Sequence, residues 1–206
     1  ARIRLRAENH HAQIDADRAV RASIAMIREL ARWNKERVSE GRLPVDIGIG
    51  LNTDLVVSGN IGSKKRMDYT IIGDGVNLAS RLESACKTYG THILISEFTY
   101  KLLKSTYYTR EVDLVVVKGK TQPVAIYEVM DYHTDETYPQ LSDALRQFRS
   151  GLGDYRHRRW KEALTAFEEV LAINPADKTA KLYLERTRHM QDQPPPDDWN
   201  GVLPAG

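Results

Sequence analysis

Cysteine is all but absent: Cys86 is the single thiol in 206 residues. One thiol can form no internal disulfide and no cysteine-based zinc site, which fits a reducing, cytoplasmic setting. Long hydrophobic runs are also missing. No stretch approaches the roughly 18 apolar residues that a membrane helix needs, and no signal-peptide pattern opens the sequence. These two absences leave open whether a longer protein is tethered to a membrane elsewhere. Charge of one sign is lacking too, with 30 basic residues against 28 acidic and a formal net charge of +2. No strong field for nucleic acid or an anionic surface follows from that balance. What remains is 41% hydrophobic and 28% charged, ordinary for a globular chain long enough for one domain and a smaller one. The first residue is Ala1 rather than Met, pointing to a piece of something longer.

The periodicities alternate between helix and strand. Residues 14–34 read as an amphipathic helix, with Val20, Ile24, Ile27 and Ala31 on one side and Arg18, Arg21, Arg28 and Arg32 on the other. Residues 45–51 then alternate strictly, with Asp46, Gly48 and Gly50 on the face opposite the apolar residues. A strand face reduced to glycine admits something close: a ligand, a partner chain or a packed helix. Val56 and Val57 are expected in the partner strand of a hairpin turning at residues 52–54. Residues 67–72 form a further expected strand, followed by a helix whose buried stripe is Val76, Ala79, Leu82 and Cys86. A short strand at 92–95, a short helix from Ser96 to Leu103, and two β-rich runs at 112–117 and 124–129 complete the order. The last two runs form a hairpin with a basic tip at residues 118–123. The expected fold class is α/β (α+β), a sheet covered by helices.

After Met130 the character changes. Residues 132–140 are polar and turn-rich and read as a linker, separating a first unit at 1–131 from helices at 141–192. Residues 193–206, opening on three prolines, are expected to be extended or disordered. Within the helices, Gly151, Ala163, Phe167 and Pro175 keep the relative spacing of the signature positions of a ~34-residue tetratricopeptide repeat. One and a half such repeats bury their apolar faces poorly by themselves, so they are expected to dock on the preceding unit or on another chain.

The most informative stretch is residues 59–83, GNIGSKKRMDYTIIGDGVNLASRLE. It ends by setting Asn77 and Arg81 one helical turn apart, which stacks an amide and a guanidinium on one face. Such a pair suits a phosphoryl group and the sugar attached to it. In isolation the same two residues read as a helix-start asparagine and a surface arginine. Other glycine-rich segments are set aside. Gly48-Ile49-Gly50 lacks the third glycine and helix start of a dinucleotide fingerprint, and Gly59 to Lys64 has the wrong spacing for a P-loop.

With IGLNT, GNIGS, DYTIIGD, VNLASRLE, ISE and VKGK followed by PVAIYE in that order, residues 14–130 resemble the C-terminal part of a class III nucleotidyl cyclase catalytic domain. The resemblance implies a ferredoxin-like cyclase sheet, incomplete at its N-terminus. It implies that Arg81 stabilises charge on the α-phosphoryl oxygens and that Asn77 orients the ribose, both as catalytic residues. It further implies that Thr70 reads the purine edge and that Lys118 contacts the terminal phosphates. Threonine at that position favours adenine, hence ATP over GTP. The family works as head-to-tail dimers and uses Mg²⁺ or Mn²⁺. Its metal-binding aspartates and adenine-contacting lysine belong to segments upstream of those matched here, so Asp46, Asp54, Asp68 and Asp74 do not correspond to the metal ligands. The expected partners are therefore ATP and a second cyclase domain, a homodimer mate or a different chain, with a further protein partner for the repeat-like helices. The expected activity is cyclisation of ATP, with this chain supplying half of a site. The alternative is a non-catalytic regulatory or partner-binding module.

Overall fold

A computed structural model describes residues 9–63, 66–116, 123–199 and 201. The elements follow one another as α1 (Asn9–Ser39), β1 (Ile49–Leu51), β2 (Val57–Ser63), β3 (Arg66–Ile72), α2 (Asp74–Tyr89), β4 (Ile93–Ser96), α3 (Glu97–Tyr100), β5 (Thr109–Val115) and β6 (Val124–Val129), then α4 (Leu141–Arg156), α5 (Trp160–Ile173) and α6 (Lys178–Asp192). The mixed α and β order matches the expected class. Among the described residues no helix is long and apolar enough to cross a membrane.

Four strands make one sheet in the order β1-β4-β6-β5, and β2 with β3 make a separate hairpin. β1 runs parallel to β4, with Ile49 opposite Ile93 and Leu51 opposite Ile95. β6 is antiparallel to both β4 and β5. The pairing differs from the hairpin expected between residues 45–51 and Val56–Val57. Val57 instead lies opposite Ile72 in the β2–β3 hairpin. The cause is the crossover: parallel strands need a long connection, and here it carries both that hairpin and α2.

β4 is buried along its whole length, and its alternate side chains divide between two cores. Ile93 and Ile95 join Val20, Ile24 and Ile27 of α1 together with Val129. Leu94 joins Leu78, Leu82, Cys86 and Tyr89 of α2 with Val112, Val124 and Ile126. Each such side chain contributes about 1.5–3 kcal/mol of burial. The α1 stripe ends at Ile27, since Ala31 is exposed. Asp17 pins the other end of α1 by accepting from the Lys104 and Ser105 amides at 3.1 and 3.3 Å and from the Tyr107 hydroxyl at 2.9 Å.

The three C-terminal helices share a core of Phe148, Leu152, Tyr155, Phe167, Val170 and Tyr183, into which Met130 and Tyr138 also project. They are joined to the sheet by ions rather than by grease alone. Arg110 on the edge strand β5 donates through Nε to Glu128 at 2.7 Å and through Nη1 and Nη2 to Asp177 at 2.6 and 3.1 Å. Asp177 is the N-cap of α6, accepting from the Ala180 amide, and Tyr138 donates to its other oxygen. Burial tends to raise the Asp177 pKa, but the Arg110 guanidinium and these hydrogen bonds hold it below the usual carboxylate range. The Arg156–Glu111 pair at 2.6 Å and the bond from the Tyr183 hydroxyl to the Val112 carbonyl at 2.7 Å complete the junction. Beyond α6 the described part of the proline-rich tail folds back. Trp199 lies edge-on to Tyr155 at 5.3 Å, and Arg158 Nη2 donates to the Asp197 carbonyl at 2.9 Å.

Removing one partner of a buried ion pair strands the others, so Arg110→Met is expected to lower stability by about 3–5 kcal/mol. Urea denaturation followed by fluorescence checks this. Trp33 of α1 and Trp160 of α5 should unfold in one transition, because the junction makes sheet and helices a single unit. A second pH-dependent contribution comes from His133, whose ring lies among Tyr132 and Tyr138. Burial, and then the charges of His92 and Arg110, pull its pKa down to about 4 from an ordinary 6.5. The unfolded chain therefore takes up a proton that the folded chain refuses as pH falls from 6.5 to 4, and stability drops across that window. His133→Gln should flatten the denaturation midpoint between pH 6.5 and 4 relative to the parent chain.

Candidate active site

Helix α2 carries the candidate pair, and its setting follows from the two glycines that β1 and its approach present to it. A methyl group at Gly50 would lie 2.2 Å from the Ala79 carbonyl oxygen, and one at Gly48 would lie 2.9 Å from the Glu83 carbonyl oxygen. The close neighbour anticipated for this glycine face is thus a packed helix. Its buried row is Gly75, Leu78, Leu82, Cys86 and Tyr89, at helical spacing. Of the expected stripe Leu82 and Cys86 are buried and Ala79 is half-buried, but Val76 is 38% exposed and Leu78 is buried in its stead.

Asn77 and Arg81 consequently fall on the outward face, both exposed. Among the described residues neither side chain has a hydrogen-bond or ion-pair partner, and their spacing puts them one turn apart on that face. The first turn of α2 is fixed from below by Asn52. Its Nδ2 donates to the Gly75 carbonyl at 3.0 Å, and its Oδ1 accepts from Ser96 Oγ at 2.6 Å. Thr53 and Thr99 are hydrogen-bonded at 3.0 Å beside it. This latch, which ties the ends of β1 and β4 to the helix start, was missed from the sequence. Asn52 sat in a recognisable segment but read as a turn residue.

Thr70 lies in β3 opposite Gly59, half-buried, on the strand that feeds directly into α2. It shares the hairpin-to-helix segment with Asn77 and Arg81, and no hydrogen bond joins it to either. Lys118 falls outside the described residues, as do Lys64 and Lys65. The carboxylates nearby do not converge. Asp54 is exposed and accepts from the Leu55 amide, Asp74 is exposed in the first turn of α2, and Asp46 lies 3.1 Å from His92. Among the described residues no three His, Cys, Asp or Glu side chains are grouped to hold a metal. The described residues therefore do not fit the family's metal centre, and no catalytic step is drawn through one. In the hairpin and the segment leading into it, Leu55, Val57, Ile71 and Ile72 are 80%, 68%, 51% and 53% exposed, with Val57 and Ile72 opposite one another on one face and Ile71 on the other.

Asn77 and Arg81 thus lie on the exposed face of the helix that follows the β2–β3 hairpin of a mixed α/β fold. The chain belongs to the adenylate and guanylate cyclase catalytic domain family, whose model matches residues 6–132. It is 36% identical over 182 residues to a terminal-differentiation-specific adenylate cyclase of Dictyostelium discoideum, covering 86% of this chain and 8% of that protein. To an adenylate cyclase of Anabaena cylindrica it is 39% identical over 122 residues, covering 56% of this chain and 24% of that one. Among solved structures it is similar to the adenylyl cyclase CyaB from P. aeruginosa, with 42% identity and a TM-score of 0.51 over 60% of this chain and 63% of that chain. The chain thus spans less than two thirds of each relative. Residues 1–132 make up under two thirds of the chain, so the Dictyostelium similarity also runs into the C-terminal helices.

Because Gly50 meets backbone rather than a yielding side chain, Gly50→Ala must push α2 outward. The expected loss is about 3 kcal/mol, measured by urea denaturation. Gly153→Ala, with nothing within 4 Å, is the control and should leave stability unchanged or raise it.

Proposed function

We propose that this chain supplies the transition-state half of a class III adenylyl cyclase site, converting ATP to cyclic AMP and pyrophosphate. The observation that carries the reading is the Asn77–Arg81 pair on the exposed face of α2, without a hydrogen-bond partner among the described residues, on a helix whose buried face and first turn are both fixed. The reaction joins the ribose 3′-oxygen to the α-phosphorus and breaks the bond to pyrophosphate. Charge develops on the α-phosphoryl oxygens as it proceeds, and Arg81 is set to stabilise it. Asn77, one turn earlier, hydrogen-bonds the ribose so that its hydroxyl stands in line with the leaving group. Thr70 meets the adenine edge, donating or accepting through its hydroxyl. Lys118 follows the pyrophosphate as a mobile point charge.

The exposed Val57–Ile72 pair on one face of the hairpin supports a partner that covers it, a second copy arranged head to tail or a different cyclase domain. Mg²⁺ or Mn²⁺ would enter with carboxylates other than those described here. Helices α4, α5 and α6 read as one and a half tetratricopeptide repeats. Supporting this, the Gly151 backbone abuts the Phe167 ring closely enough that a methyl there would lie 2.9 Å from it. In this reading the helices also offer a surface to a further protein. The relatives named as adenylate cyclases favour the enzyme over the regulatory module.

The test is complementation. This chain is mixed with a class III cyclase domain that keeps its metal aspartates but has lost its own asparagine and arginine, and cyclic AMP is measured with ATP and Mn²⁺. Product is expected with the parent chain and none with Arg81→Ala. In the full-length protein the same substitution should lower kcat by about 10²–10³ while KM for ATP changes far less. A folded, associating mixture that yields no product overturns the reading.

A further inference from the structure

Helix α2 is held at both ends, but by different parts of the chain. Its first turn is latched by Asn52 and Ser96 of the cyclase sheet. Its last turn is gripped by α6, which lies outside the matched family segment at residues 6–132. Thr179 Oγ1 donates to the Tyr89 carbonyl at 2.8 Å, satisfying one of the carbonyls that a helix end leaves without an internal partner. The Lys178 stem covers Gly90, the left-handed C-cap at φ +67°, so closely that a methyl there would meet it at 2.4 Å. Arg186 Nη1 donates to Asp113 Oδ2 at 2.7 Å, and Tyr89 donates to the same oxygen at 2.7 Å. The Arg186 guanidinium also lies over the Tyr89 and Tyr183 rings, 5.8 and 5.1 Å from their centroids. Thr179 is fully buried, and Asp177 anchors the same turn of α6 to Arg110 of the sheet.

Resting on the cyclase reading, we propose that α6 is a positioning element for that site: Thr179 and Arg186 fix the end of α2 and thereby the placement of Arg81 and Asn77. The lever is short. Arg81 is eight residues from Tyr89, about 12 Å along the helix axis at 1.5 Å per residue. A helix behaves as a rod over that distance, so a shift at Tyr89 is passed along the axis to the guanidinium that must meet the α-phosphoryl oxygens, with the close contact of Gly50 against Ala79 and Glu83 as the pivot. The helical unit is therefore part of the catalytic machine's setting, and anything that undocks α6 acts on turnover without touching ATP.

The test uses the full-length protein and the double variant Thr179→Val/Arg186→Met, with Thr179→Ser as the conservative partner that keeps the hydroxyl. Steady-state cyclisation of ATP is measured well below the melting temperature of each variant, alongside amide hydrogen exchange across α2. The double variant should lose about tenfold in kcat with KM for ATP within twofold of the parent, since the misplaced group acts in the transition state. Its exchange should accelerate from Tyr89 back through Arg81, and Thr179→Ser should behave as the parent. If the double variant fails to fold, Thr179→Val alone is read in the same way. An unchanged kcat in a folded variant overturns the proposal, because a merely structural contact lowers the melting temperature and nothing else. If the parent protein makes no cyclic nucleotide, the cyclase reading fails by itself and exchange decides this one. Acceleration reaching Arg81 sustains the positioning role, and acceleration confined to Cys86–Tyr89 ends it.

Discussion

The molecule hangs on a buried arginine. Arg110 is only 7% exposed, and a guanidinium cannot shed its proton to escape burial, so the fold must bring charge to it. It does so from two directions. Glu128 comes from the neighbouring strand and Asp177 from the start of α6, while the Phe148 ring lies 4.6 Å from the guanidinium carbon. Two carboxylates then compete for one cation. Asp177 takes two of the three bonds and the Tyr138 hydroxyl as well, and stays ionised below its ordinary range. Glu128 has one bond from Arg110 and a long one from Tyr132, and its burial pushes its pKa up. Such a triad adds little net stability over apolar residues of the same volume, but its geometry is exacting. It ties the start of α6 to the sheet at Asp177.

From that docking the remaining geometry follows in order. Fixing α6 fixes Thr179 and Arg186, which close on the end of α2. The glycines at 48 and 50 let α2 sit against the strand backbone, and Asn52 ties its first turn to the sheet. A helix restrained along its inner face and at both ends has one face left to offer, and that face bears Asn77 and Arg81. Preorganisation of this kind is what electrostatic stabilisation of a transition state requires, since a charge that must first be reoriented has already forfeited part of its effect.

The sequence was legible where chemistry and period coincide locally. Asn77 and Arg81 lie one turn apart, and the alternation through residues 45–51 announced a glycine face. It misled where partners are chosen across the chain. Val56 and Val57 looked like the return strand for residues 45–51, yet β1 pairs with β4 beyond α2, and no local turn signal encodes a parallel register. The inward row of α2 was misjudged at one position, where Val76 looked the more hydrophobic candidate but is exposed while Gly75 and Leu78 are buried. Arg110 and Asp177 carried no signal at all. Each is an ordinary charged residue until the fold sets them 2.6 Å apart.

The surface around the exposed pair has its own logic. Val57 and Ile72 lie opposite one another on one face of the hairpin and are left in water, with Leu55 exposed before them, and paired exposure of this kind calls for a cover where isolated exposure would not. In the proposed reading a partner covers this face, and the same contact delivers the rest of the site to Arg81. Association and assembly of the site are then one event, driven by apolar burial on the hairpin and made specific by the polar pair beside it. The C-terminal end of α2 answers to α6. Two inputs thus converge on one helix, the partner from outside and the C-terminal helices from within, and neither needs to reach the nucleotide to alter how Arg81 meets it.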